Sequence, residues 1–322
     1  MKALVIGSGI AGMASAVRLA SSGYDVEVFE SNEYPGGKLT EIRLGEYRFD
    51  AGPSLFTMPH LVDELFNLAG KEPSVYFSYH RKSISCHYFW EDGTFFKAPA
   101  STTEFSKAAA EVFDVSSDRI QAYLDETARL YNLTKDTFLA QSLHRVDSYL
   151  KKETLKTMLN AASMPLLSTL HGQNKKRLRH PKLVQLFDRF ATYNGSNPYQ
   201  TPGIMMLIPF LEYGIGTFFP KGGMHSITES IYKLASDIGV DFHFSTPVNE
   251  IVIDNNKVKG IKTNDGFREG DIVISNMDIH PTYKKLLPDI LPPEKILAQE
   301  RSSSALIFYW GISSEFEELD LH

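Results

Sequence analysis

The run Ala3-Leu4-Val5-Ile6 passes without a linker into Gly7-Ser8-Gly9-Ile10-Ala11-Gly12, and few folds accept that junction. Four consecutive apolar residues suit a strand buried on both faces of a parallel sheet. Gly12 apart, Ile10 to Ser21 holds only Ile, Ala, Met, Val, Leu, Ser and a single Arg18, a composition that predicts a helix packed on that sheet. Asp25 to Phe29 predicts a second strand, closing a βαβ unit that ends in Glu30. Gly7 permits the tight strand-to-helix turn, Gly9 lets the backbone approach a pyrophosphate without a Cβ, and Gly12 lets helix and strand pack closely. The helix start at Ile10 and Ala11 offers free N–H groups and the positive end of a dipole to phosphates. Glu30, 18 positions after Gly12, stands where a carboxylate accepts hydrogen bonds from an adenosine ribose. A lone Gly-x-Gly-x-x-Gly also occurs in structural turns. Here the strand, the helix, small Ala16, Gly23 and the terminal acid fall in register, so nucleotide binding is the reading. Lys2 before an apolar segment resembles a secretory signal, but three glycines and Arg18 interrupt the segment and that reading is rejected.

The chain has 322 residues, enough for two domains, and with 43% apolar and 12% aromatic residues it can bury a large core. A net charge of −6 gives no case for nucleic acid. A single cysteine, Cys86, excludes an internal disulfide framework and a thiolate metal cluster, and points to a reducing, cytoplasmic location. Cys86 itself reads as a strand residue. The best candidate for a membrane span, Phe190 to Leu211, has no Asp, Glu, Lys or Arg but contains three prolines, two asparagines and a glutamine, too much polarity and helix breaking for a bilayer core.

Ser31-Asn32-Glu33-Tyr34-Pro35-Gly36-Gly37-Lys38 forms a second glycine loop close behind Glu30, a feature that an extended dinucleotide such as FAD needs more than a nicotinamide cofactor does. Strands are predicted at Thr40 to Leu44 and Tyr47 to Asp50. They lead to Asp50-Ala51-Gly52-Pro53, where the backbone is expected to pass close to the flavin; an ordinary turn is the plainer alternative. Met58 to Ala69 predicts a helix and Val75 to Lys97 a strand-rich region. Ser101 to Leu170 reads as largely helical, opened by a capping box at Ser101-Thr102-Thr103-Glu104. Leu155, Met158, Leu159, Met164, Leu166, Leu167 and Leu170 make an apolar set, followed by the densest basic run of the chain, Lys175 to Lys182. A core face and a solvated loop are the ordinary explanations; together the two also suit a protein resting on anionic lipid. Thr217 to Ala235 reads as strand, glycine pair, helix. Asp241 to Phe244 is a further strand, Val248 to Ile253 and Lys257 to Thr263 form a hairpin that presents Val248 to an adenine, Ile272 to Ile274 ends at Ser275-Asn276-Met277-Asp278, and Ala305 to Trp310 predicts a late strand.

With these motifs in view the chain resembles the FAD-dependent carotenoid desaturases of the bacterial phytoene desaturase type. The resemblance rests on Gly7, Gly9, Gly12 and Glu30; Pro35-Gly36-Gly37-Lys38; Phe49 to Pro53; Phe219-Pro220-Lys221-Gly222-Gly223-Met224; and Ile274 to Asp278. Arg189 to Tyr199 looks most like the members that desaturate hydroxylated carotenoids at the 3,4 position. The resemblance implies an α/β fold (α+β overall), with a Rossmann-like FAD-binding domain of the flavin amine oxidase type and an inserted helical region that faces substrate or membrane. The division it implies is 1–72 and 216–280 for FAD, 73–100 and 281–322 for a strand-rich substrate domain, and 101–215 for the helical region. FAD would be held by Gly7, Gly9, Ile10, Ala11, Gly12, Glu30, Gly36, Gly37, Lys38, Asp50, Gly52, Pro53, Val248 and Asn276, with no metal. Members of the family run on to a C-terminal glycine- and proline-rich segment that completes the flavin site, so the chain reads as the N-terminal part of a longer enzyme and is expected to bind FAD weakly alone.

The implied reaction passes a hydride from a carbon beside the polyene to flavin N5 while a base removes the neighbouring proton; a quinone or oxygen takes the electrons. The partners implied are a carotenoid and a peripheral membrane surface, and the uncharged Phe190 to Leu211 stretch is expected to line the substrate tunnel. Some phytoene desaturases use an acid at a place matching Thr157, which is no acid here. Glu212, which ends the uncharged stretch, is the first candidate for the base, and His225 the second; a structural ion partner and a helix-start residue are their ordinary roles. Rival readings are phytoene desaturase itself, a flavin amine oxidase or protoporphyrinogen oxidase, and a non-catalytic lipid binder of the GDP dissociation inhibitor type.

Overall fold

The apolar run at the N-terminus forms β1 (Lys2–Ile6), the first of thirteen strands among the residues described by the computed structural model, which are 1–139, 141–143, 145–314 and 316. His322, at which the chain ends, lies outside them. The other strands are β2 (Asp25–Phe29), β3 (Thr40–Leu44), β4 (Tyr47–Ala51), β5 (Tyr79–Arg81), β6 (Ile84–Phe89), β7 (Phe95–Pro99), β8 (Phe218–Pro220), β9 (Asp241–His243), β10 (Val248–Asp254), β11 (Lys257–Thr263), β12 (Gly266–Glu269) and β13 (Ile272–Ser275). The helices that matter below are α1 (Ile10–Ser21), α2 (His60–Leu68), α3 (Pro73–Tyr76), α4 (Thr102–Phe113), α5 (Ser117–Phe138), α6 (Lys152–Leu159), α7 (Leu170–Leu178), α8 (Pro181–Asp188) and α9 (His225–Asp237). They divide into two compact units: Met1–His80 with Phe218–Glu300 and Tyr309–Gly311, and Arg81–Thr217 with Arg301–Phe308 and the segment from Ile312.

In the first unit a parallel sheet runs in the order β13-β1-β2-β9. Val5 sits between Val28 and Ile274 across the ladder. Side chains alternate along a strand, so Ala3 and Val5 pack with Met13, Ala16 and Val17 of α1 and Ile231 and Leu234 of α9, while Leu4 and Ile6 pack with Phe29, Ile261 and Leu286 on the other face. Both faces of β1 are therefore covered, which is why its sequence has no polar alternation. The antiparallel meander β10-β11-β12 is inserted in the chain between β9 and β13 of this sheet. Its first hairpin turns at Asn255 and Asn256 with φ of 50° and 58°, the left-handed pair that a two-residue hairpin turn requires and Asn tolerates.

The second unit sets the β6/β7 hairpin against helices, around an aromatic core that includes Phe96, Phe105, Phe113, Tyr123, Phe187, Phe190 and Tyr213. Here the structure departs from several expectations. The uncharged stretch expected to line a tunnel contributes Phe190, Ala191, Met206 and Ile208 to this core instead, because 3-10 turns at Arg189–Asn194 and Gly203–Leu207 fold it inward. Of the apolar set in the helical region Met164 and Leu170 are buried, whereas Leu155, Met158, Leu159, Leu166 and Leu167 are exposed. The basic run is not a loop: it is the last turn of α7 and the start of α8, joined through Arg179 in the left-handed region. Ser101 is the N-cap of α4, yet its hydroxyl caps nothing. Residues 305–310 form no strand, since an extended segment holds a strand geometry only against a partner.

The covered sheet face gives a direct test. Leu4→Ala removes a fully buried side chain and is expected to destabilise the chain by about 2–5 kcal/mol. Leu167→Ala, at a fully exposed site, is expected to change stability by no more than about 0.5 kcal/mol. Urea denaturation of both variants checks the contrast.

Candidate functional site

Where β1 ends, the chain must turn within one residue to begin α1. Gly7 makes that turn at φ 93°. Any Cβ on Gly12 would land on the Gly7 carbonyl oxygen, and one on Gly9 would come within 2.7 Å of the Asn276 amide nitrogen. Asn276 follows β13 and is anchored by its own N–H to the Ile6 carbonyl at 2.8 Å. The second glycine loop lies beside the first: the Gly36 N–H donates to the Ser8 carbonyl at 2.9 Å and Gly9 bridges to Gly36. Thr228 of α9 pins that loop by donating to the Leu39 carbonyl at 2.7 Å.

These elements border a cleft of about 1120 Å³, a little larger than an ordinary small-molecule pocket, at the carboxyl end of a parallel sheet where a cofactor binds. Of the residues singled out from sequence, Gly7, Gly9, Ile10, Ala11, Glu30, Gly36, Gly37, Lys38, Pro53, Val248 and Asn276 line it. A dinucleotide fits the donor set. Gly9 is the N-cap of α1 without a side-chain cap, and there is no acid in the first turn, so the leading N–H groups of α1 meet the cleft unsatisfied. Lys38 adds a cation and the rest of the lining is mostly apolar. Sequence reasoning missed Leu55, Phe56 and Lys285, which also line the cleft; no motif marks them, because packing alone brings them there.

Glu30 reaches the cleft but is already occupied. Its Oε2 accepts from the Ser8 N–H at 2.8 Å and the Ser8 hydroxyl at 2.9 Å, and its Oε1 from the N–H and the side-chain amide of Asn32, both at 2.9 Å. A carboxylate has about four acceptor positions, so a ribose hydroxyl that reaches Glu30 takes the place of one of these donors. Burial pushes the Glu30 carboxyl up, but the hydrogen bonds from Asn32 and Ser8 outweigh it and hold the group below the ordinary glutamate range. A depressed carboxyl stabilises the fold above its unfolded value, near 4.5, and loses that contribution as the pH falls through the folded value. Glu30→Gln is therefore expected to lower stability by about 1–3 kcal/mol at pH 7 and to flatten the acid limb below pH 4.5, read from melting temperature against pH.

Three residues expected to touch the cofactor serve the frame instead. Gly12 packs α1 onto the turn. Asp50 points its carboxylate at the start of α9, accepting from the Met224 N–H at 2.8 Å and the His225 N–H at 3.1 Å, and pairs with Arg48 at 3.1 Å. Gly52 is needed because a Cβ there would strike the Lys38 carbonyl. His225 opens α9 with its Nδ1 3.4 Å from the Leu39 carbonyl and is not among the residues that line the cleft.

Glu212 belongs to the second unit and does not carry the free carboxylate that a base requires. It is wholly buried; the Arg189 guanidinium reaches its two oxygens at 3.0 and 2.8 Å, the Tyr193 hydroxyl donates at 2.8 Å and the Ser85 hydroxyl at 3.1 Å. Burial and then the adjacent Glu212 charge push the Tyr193 hydroxyl well above the tyrosine range, which keeps it a donor. The Arg189 guanidinium also lies 4.5 Å from the centre of the Phe190 ring. The pair is a structural one, and breaking it strands a charge. Arg189→Met is expected to cost about 3–5 kcal/mol, and pairing it with Glu212→Leu to recover a large part of that in a double-mutant cycle followed by urea denaturation. Thr157, a buried residue of α6, faces α5 with its hydroxyl 2.8 Å from both the Thr137 hydroxyl and the Leu133 carbonyl. Cys86 lies in β6, where burial pushes its thiol up from the ordinary cysteine range.

The sequence pattern of the flavin containing amine oxidoreductases matches residues 10–309. A 1-hydroxycarotenoid 3,4-desaturase from Flavobacterium sp. (strain P99-3) is 54% identical over the whole chain, and a 4,4'-diaponeurosporene oxygenase from Staphylococcus aureus (strain bovine RF122 / ET3-1) is 30% identical over 99% of it. The chain spans 65% and 64% of the length of these two relatives. Among solved structures an oxidoreductase from Methanosarcina mazei superposes with a TM-score of 0.60 at 20% identity, covering 92% of this chain and 64% of that one, which establishes a shared fold.

Proposed function

Since the chain belongs to the flavin containing amine oxidoreductase family, we propose that it carries the FAD-binding part of a carotenoid desaturase, acting at the 3,4 bond of a hydroxylated carotenoid. The observation that carries this reading is the 54% identity, over every part of the chain, to the 1-hydroxycarotenoid 3,4-desaturase. The cofactor is FAD. Bound FAD supplies hydride acceptance, which lets a C–C single bond beside a polyene become a double bond. The chain's own residues bind and orient. The leading N–H groups of α1 and Lys38 would hold the diphosphate, Glu30 the ribose and Val248 the adenine, while Leu55, Phe56 and Met224 add apolar surface to the cleft. With Glu212 and His225 engaged elsewhere, none of the residues weighed above is left free to take the proton. The electrons leave to a quinone or to oxygen.

A carotenoid lives in a bilayer, and the second unit has the surface for meeting one. Leu150, Leu155, Met158, Leu159, Leu166 and Leu167 are all exposed and fall close together in sequence. No helix among the described residues is long and apolar enough to cross a membrane, so the association we propose is peripheral.

Expression of the chain in its full-length form, in cells that accumulate hydroxylated acyclic carotenoids, with pigments separated by chromatography, tests the reading. Pigments with one more conjugated double bond at the 3,4 position are the expected product. Gly9→Val is expected to abolish both this shift and the flavin absorbance of the purified protein, since its side chain meets Asn276 and closes the cleft. Unchanged pigments from soluble, yellow wild-type protein, across several such substrates, overturn the desaturase assignment and leave the flavoprotein fold standing.

A further inference from the structure

A second cavity, of about 780 Å³, opens in the helical unit beside α7 and α8. We propose that it binds the phosphate of a bilayer phospholipid headgroup. This deepens the peripheral-membrane reading above and rests on it.

Its chemistry is cationic. Lys175 comes from the last turn of α7 and Arg179 from the left-handed residue that ends that helix, and both are exposed. His171 and His180 line the same space, and the buried Nδ1 of His180 has no partner among the described residues. The one acid in the lining, Asp188, is held by hydrogen bonds: its Oδ2 lies 2.7 Å from His171 Nδ1 and its Oδ1 accepts from the Asn174 amide at 2.8 Å. An entering anion therefore meets two cations, Lys175 and Arg179, that no carboxylate pairs among the described residues, the Arg179 Nε donating to the Lys176 carbonyl at 3.5 Å. The rest of the chain is acidic, at −6 overall, so this patch is where a negatively charged membrane would be attracted and not repelled.

The apolar group next to the cavity selects a lipid over a free phosphate compound. Leu166 and Leu167 project into solvent immediately before α7, Leu167 fully so. His171 stands four positions after Leu167, a span of at most about 14 Å. The piece is braced: Leu170 N–H donates to the Thr201 carbonyl at 2.8 Å, His171 N–H to the Pro198 carbonyl at 3.0 Å, and Thr169 bridges to Pro202. That bracing holds the Pro198–Tyr199 wall of the cavity against the start of α7. An apolar prong and a cationic cavity on one braced element match the two layers of a lipid surface, acyl chains and phosphates.

Sedimentation with vesicles tests this, using phosphatidylcholine alone and phosphatidylcholine with phosphatidylglycerol. The proposal expects tighter binding to the anionic vesicles, competition by millimolar glycerol 3-phosphate, and at least tenfold weaker anionic binding for Lys175→Gln/Arg179→Gln, with an unchanged melting temperature. Leu166→Ser/Leu167→Ser should weaken binding to both vesicle types. A charge-matched control, Lys107→Gln/Lys257→Gln, should bind like the wild type. Equal loss in the control and cavity variants, or none in the cavity variant, overturns the headgroup site while the membrane reading stands. Failure of the wild-type chain to bind either vesicle overturns both. Binding of inorganic phosphate in a thermal-shift assay with no vesicle binding would assign the cavity to a soluble anion and overturn the lipid.

Discussion

The first unit is organised by backbone that has no room for a side chain. Asn276, held at the end of β13 by its N–H to Ile6, lies over the first glycine turn and fills the space that Cβ atoms at Gly9 and Gly12 would need. That contact sets how closely β13, β1 and α1 approach, and so where the leading N–H groups of α1 point. The Gly36 loop then docks on the turn through the Ser8 carbonyl, and Glu30 closes the other side by accepting from Ser8. A phosphate-binding helix start therefore depends on an asparagine more than two hundred residues away in sequence.

Polar groups in the two units serve different ends. Around the cleft, Asp50, Thr228 and Glu30 spend their oxygens on backbone N–H and carbonyl groups of the cleft wall, which fixes the geometry before any ligand arrives. In the helical unit Glu212 and Arg189 bury a charge pair beneath an aromatic core, with Tyr193 and Ser85 completing its shell. Such a pair adds little net stability but penalises any packing that separates its members. It holds the 3-10 turns of the uncharged stretch in place, and with them the wall that carries Pro198 and Tyr199.

How legible this was varied with the range of the interaction. The βαβ unit, the second glycine loop, the Asn255-Asn256 hairpin and β13 follow from local rules of period, turn chemistry and glycine, and the strands fall where those rules put them. Roles that depended on distant partners were not legible. Asp50 sits in a motif that reads as flavin contact, but its partner is the start of α9, nearly two hundred residues on. Glu212 follows an apolar stretch and reads as a base with a raised pKa, until Arg189 and Tyr193 are seen around it. The Phe190 to Leu211 stretch reads as a tunnel because it is uncharged, and the same property suits it to a core.

The sequence by itself determined that a strand buried on both faces would meet a glycine turn and a phosphate-ready helix start, since apolar continuity and a missing Cβ leave the backbone few alternatives. It also determined that no thiolate or disulfide chemistry would hold the fold together, there being one cysteine. Only the tertiary structure decided which carboxylates were free, because a charge is defined by what surrounds it, and which leucines faced solvent. Met164 and Leu170 are buried while Leu166 and Leu167 between them are exposed, a division fixed by the strand-like pairing of residues near 169 and 201 and not by any local preference.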